Sequence, residues 1–156
     1  MQVITVQRLS IIVILLGIST VHLGCVGARM PERCASFFSM SGDERGKVFP
    51  TYPLEDQLII YRCGMNRRPP DTYLAGYIAD QGEPAIPVLL TKLEQDSDEL
   101  TQVSIVEVFE RMAAKGFLRD KPDVINRIRT VVSRMHTPVF KDMASKSLER
   151  MTQSST

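Results

Sequence analysis

Apolar residues recur at helical spacing along most of this chain, and nowhere do apolar and polar residues alternate as a half-buried strand requires. Leu54, Leu58, Tyr61 and Met65 predict a helix opened by Pro53, whose fixed φ suits a first turn. Leu74, Tyr77 and Ile78 predict a second after Pro69-Pro70, stopping at Gly82, and Ile86, Leu89, Leu90 and Leu93 a third opened by Glu83-Pro84. Asp96-Ser97-Asp98-Glu99 sets an N-cap acceptor and a Glu three residues later, a capping-box arrangement ahead of a long helix with Val103, Val106, Phe109 and Met112. Gly116 ends that helix and Asp120 is expected to cap the next, where Val124, Ile125, Ile128, Val131, Val132 and Met135 give the cleanest repeat in the chain. Thr137-Pro138 opens a last helix with Phe140, Met143, Ala144, Leu148 and Met151. The expected fold is all-α, with about six helices in antiparallel pairs over residues 53–152 and a disordered tail at 153–156.

Residues 25–52 read as a linker, because Ser41-Gly42-Asp43, Gly46, Pro50 and Pro53 interrupt any period. Phe37, Phe38 and Met40 predict a short helical turn packed on the domain, with Phe49 and Tyr52 as a staple for the helix that follows.

Residues 1–24 read as a signal peptide or membrane anchor. Leu9 to Val21 carry no charge after Arg8, which is the n-region and h-region order of an export signal. Leu23-Gly24-Cys25 resembles the end of a bacterial lipoprotein box, which implies that Cys25 is lipidated and becomes the mature N-terminus. Two other fates fit the same residues. Val26-Gly27-Ala28 offers the small residues an ordinary signal peptidase reads, giving a soluble secreted or periplasmic protein from Arg29; or Leu9 to Ala28 stays uncut as an anchor, just reaching the roughly 20 residues a bilayer needs. Each puts the domain outside the cytoplasm or against a membrane.

The stretch from Leu74 to Leu93 carries a second resemblance. A helix turns at Gly82 and Pro84 into Ala85-Ile86-Pro87-Val88-Leu89-Leu90-Thr91-Lys92-Leu93, which is similar to a HEAT or armadillo-type unit. Gly82 and Gly116 both close a helix before a Pro-started one, which hints at a second pair. The resemblance implies a short HEAT-like α-solenoid capped by the first and last helices; an irregular helical bundle is the rival architecture.

At 156 residues and 44% apolar content the chain supports one domain with a real core. Its formal charge of +1 hides a split. Acidic residues dominate up to Glu110, and basic residues from Arg111 onward. The basic C-terminal helices either dot a solvated face or meet an anionic surface. With Cys25 lipidated or removed, Cys34 and Cys63 remain as a disulfide candidate closing a loop of about 29 residues, worth on the order of 3–4 kcal/mol.

Little else suggests chemistry. After the signal, His136 is the remaining histidine, expected at a helix C-terminus on the surface; a thiol nucleophile would need it beside Cys34 or Cys63. No metal set or phosphate loop is evident, and Glu107 and Glu110 read as solvated. Arg62, Arg67 and Arg68 gather before the second helix as an anion-binding candidate. Met112, Met135, Met143 and Met151 are expected on buried faces. The expected function is a membrane-tethered, extracytoplasmic protein-binding or scaffold module without catalysis, cofactor, nucleic acid or small-molecule substrate, its partner another envelope protein. The alternative is a structural envelope lipoprotein touching anionic lipid through the basic C-terminal helices.

Overall fold

From Pro53 onward proline and glycine punctuation sets most helix boundaries as expected, but Glu83-Pro84 opens a 3-10 turn over Glu83–Ala85 and the α-helix itself starts at Ile86. The computed structural model describes residues 30–154, and among these the chain is all-helical. The six expected helices are α3 (Leu54–Met65), α4 (Leu74–Ala79), α5 (Ile86–Gln95), α6 (Glu99–Ala114), α7 (Pro122–Arg134) and α8 (Pro138–Ser154). Pro87, Pro122 and Pro138 sit in first turns, where a missing N–H costs nothing. Gly116 ends α6 with φ +83°; its N–H reaches the Ala113 carbonyl at 2.9 Å and the Phe117 N–H reaches Met112 at 3.0 Å, the paired bonds of a Schellman ending.

The segment read as a linker is largely helical. It holds α1 (Glu32–Ser39), α2 (Gly42–Val48) and a 3-10 turn at Phe49–Thr51. Ser41 and Glu44 form a reciprocal capping box at the start of α2, so Ser41-Gly42-Asp43 starts a helix instead of breaking one. Phe37 and Phe49 are fully buried, with ring centroids 5.6 Å apart, and Phe49 stands 5.9 Å from Tyr77 of α4. These aromatic contacts seat the segment on the core, each pair adding about 0.5–1.5 kcal/mol beyond area burial.

Two caps also differ from expectation. Asp98, not Asp96, is the N-cap of α6, accepting from the Thr101 N–H at 3.2 Å, and Glu99 turns away to another helix. Asp120 adopts φ +63° and Lys121 takes the N-cap position of α7, because the tight turn after Gly116 needs a left-handed residue that Asp tolerates.

Helix α6 is the centre of the fold. It packs against α3, α4, α5 and, most extensively, α8. The neighbour relations form two rows: α4, α6 and α8 lie side by side in one, α5 beside α7 in the other, with α7 also against α8. Met112, Met135 and Met151 are buried as expected, whereas Met143 is on the exposed side of α8. Gln57 is a buried polar residue inside this packing. Its amide donates to the Tyr52 carbonyl at 2.8 Å and accepts from Gln81 at 2.9 Å, linking α3 to the turn after α4.

Candidate functional site

A cleft of about 560 Å³ opens between α3 and α5, within the size range of about 300–1,000 Å³ common to ligand pockets. Helical periodicity makes it. Leu58 and Cys63 point inward from α3 and form part of its floor, while Ile59, one residue further round, stands 44% exposed. Across from it, Pro87 and Val88 of α5 present an apolar wall, and Val88 is 39% exposed. Pro31, just before α1, closes one end. Large apolar side chains left half in water on facing helices are informative where isolated ones are not.

The rim is polar: both of its cations are paired, and Glu55 adds a further carboxylate. Arg62 donates to Asp98 at 3.0 Å, and Lys92 pairs with Asp96 at 2.7 Å. Burial pushes the Asp98 carboxyl up, but hydrogen bonds from Thr101 and Arg62 outweigh it and hold the group below its ordinary value. With both cations engaged, the cleft suits a neutral, apolar ligand better than an anion.

Cys34 and Cys63 are joined in a disulfide with Cα atoms 6.3 Å apart, tying α1 to the cleft wall on α3. Their sulfurs therefore offer no thiolate to His136, which is exposed and far along the chain at the start of α8. Cys25 lies outside the described residues, as do the proposed signal and its cleavage points.

The three candidate anion-binding arginines do not converge. Arg62 faces α6 through Asp98, while Arg67 pairs with Asp71 at 2.8 Å and lies over the Phe38 ring at 4.4 Å; Arg68 is exposed. Arg45 also reaches Asp71, at 3.5 Å, so the cluster that does form is Arg45, Arg67, Asp71 and Phe38. Two guanidiniums there share one carboxylate and one aromatic face, and Arg45 Nε and Nη1 are buried without a hydrogen-bond partner among the described residues.

Glu107 and Glu110, read as solvated, are half-buried and committed to neighbours. Glu107 accepts from the Tyr61 hydroxyl at 2.7 Å, and Glu110 receives two hydrogen bonds from Arg150, at 2.6 and 2.8 Å. They face α3 and α8 because α6 is surrounded. Burial and the adjoining Glu107 charge push the Tyr61 phenol far above its ordinary value.

The charge split has the same explanation. Arg127 grips Glu94 with two bonds of 2.7 Å, Lys121 meets Glu83 at 3.0 Å, Lys115 pairs with Asp80, and Arg150 with Glu110. Basic residues of the C-terminal part thus neutralise acidic residues that come before them. Among the described residues no helix is long and apolar enough to cross a membrane, and no three metal-binding side chains gather. In comparisons with known proteins, no family model, curated protein or solved structure matches this chain.

Proposed function

We propose that this chain is a membrane-tethered, extracytoplasmic helical module that binds an apolar segment of another envelope protein through the α3/α5 cleft, without catalysis of its own. The observation that carries the reading is the cleft itself, lined by half-exposed Ile59 of α3 and Val88 of α5 beside the buried Leu58 and Cys63. Full burial of two such side chains under a partner stabilises by about 1.5–3 kcal/mol each at most, and less from a half-covered start. The export-type N-terminus supports the address, and the row of α4, α6 and α8 beside the row of α5 and α7 supports a HEAT-like arrangement of helix pairs. Fold likeness alone says nothing of ligand, so the cleft bears the weight.

The lipid-contact alternative has fewer side chains to draw on, since Lys115, Lys121, Arg127 and Arg150 are occupied by carboxylates, leaving the exposed Arg119, Arg129, Arg134 and Lys141 without one among the described residues. A photo-crosslinking residue at Thr91, which lines the cleft, tests the proposal in the intact envelope. The expected result is a discrete protein adduct that disappears in Ile59→Glu and Val88→Glu, while both variants melt like the parent. Adducts to lipid alone, or a protein adduct indifferent to both charges, overturn it.

A further inference from the structure

The α3/α5 cleft does not end at α3. A second, more open hollow at the start of α1 shares Pro31 and Ile59 with it and adds Glu32, so one apolar strip runs from α5 across α3 to α1.

The charged groups along this strip are unequally partnered. Arg33 pairs with Asp56, Arg62 with Asp98 and Lys92 with Asp96, so each cation is already matched. Glu32 and Glu55 are exposed, and their carboxylates meet no cation among the described residues. Both stand in first turns, of α1 and of α3, where a helix N-terminus favours an acid. That accounts for their place, yet the partial charge of a helix end leaves each of them net negative. The strip is therefore apolar along its length and acidic at its margin.

This combination selects a partner. An anionic segment meets two unmatched carboxylates, and an uncharged one dehydrates them without compensation. A segment that brings its own cations offsets that cost. Glu55 and Ile59 are four residues apart on one face of α3, about 6 Å along its axis. A base opposite Glu55 thus lies about one helical turn from an apolar side chain seated over Ile59. Lys and Arg suit the place, because their apolar stems run over the strip while the charged heads reach its margin.

We propose that the segment taken up by the α3/α5 cleft is both apolar and basic, with apolar side chains over Ile59 and Val88, one Lys or Arg against Glu55 and another against Glu32. This rests on reading the cleft as a protein-binding surface and specifies the chemistry of what it binds. Acidic segments of equal hydrophobicity are rejected.

Three short synthetic peptides test the charge selection. They share one leucine face and differ in having Lys, Gln or Glu at the positions one turn from it, and each is offered to the full protein, extracted from its membrane, with the photo-crosslinking residue at Thr91. The Lys peptide should give about tenfold more adduct than the Glu peptide, with Gln between them. In a Glu32→Gln, Glu55→Gln double variant, which alters two exposed side chains and should melt close to the parent, the three yields should converge. Equal capture of all three by the parent overturns the charge selection and leaves an apolar binding cleft standing. A Lys preference that survives in the double variant overturns it too, because other groups then choose the partner. If no peptide is captured while Thr91 still captures a protein in the intact envelope, this inference falls and the binding function stands. If Thr91 captures neither, both fall.

Discussion

The Glu99 carboxylate, in the first turn of α6, accepts the backbone N–H groups of His136 and Thr137 at the start of α8, the latter at 2.9 Å. An acid that opens one helix thus caps another 37 residues away in sequence, satisfying donors that α8 cannot satisfy itself. Hydrogen bonds from the Thr137 hydroxyl and the His136 amide hold the carboxyl below its ordinary range.

That depression gives Glu99 a pH signature. A carboxyl with a lowered folded-state value contributes stability that is present above its unfolded value, about 4.3, and is lost as pH falls through the folded value. Glu99→Gln should melt a few degrees below the parent at neutral pH. The gap should close on acidification below pH ~4, as followed by circular dichroism. A gap that stays constant with pH would rule out the charged cap.

Tyr61 carries the opposite signature. Its phenol is raised by burial first and by Glu107 second, so the stability it contributes is complete below about pH 10 and declines as pH rises beyond that. Spectroscopic titration should show one of the four tyrosines staying protonated until the protein unfolds. Tyr61→Phe should remove that silent tyrosine and cost about 1–3 kcal/mol in urea unfolding, because Glu107 loses its donor inside the packing. An unchanged midpoint would mean that water replaces the hydroxyl.

The Cys34–Cys63 bridge closes a loop with a sequence separation of 29. In the chain-entropy account, its loss in a Cys34→Ser, Cys63→Ser double variant costs about 3.5 kcal/mol, measured as the difference in denaturant midpoint. Reduction should affect the parent by a similar amount and leave the variant unchanged. Equal sensitivity of both proteins to reductant would show that the bridge does not form.

The six helices from Leu54 onward were legible because their period, prolines and glycines agree with one another. The region around α2 was harder, since Ser41, Gly42 and Asp43 favour turns and helix starts alike. The decisive signal was Glu44, three residues after Ser41, which completes the capping box. Glu107 and Glu110 misled for a different reason. Spacing shows which residues share a face of α6, but a central helix has no face wholly given to water. Nor does any local pattern announce the cleft: Ile59 and Val88 line it together only because the fold brings α3 and α5, which are 20 residues apart in the chain, to its two sides.

The position of α6 has a consequence for how the molecule comes apart. Arrays of helical pairs usually lose stability pair by pair, because each unit touches only its neighbours. Here the sixteen-residue α6 holds α3 and α4 on one side of the sequence and α8 on the other. The ends therefore cannot melt away and leave a sound middle. Hydrogen exchange at the deepest α6 amides should require opening of the whole domain, which makes these helices behave as a single cooperative unit.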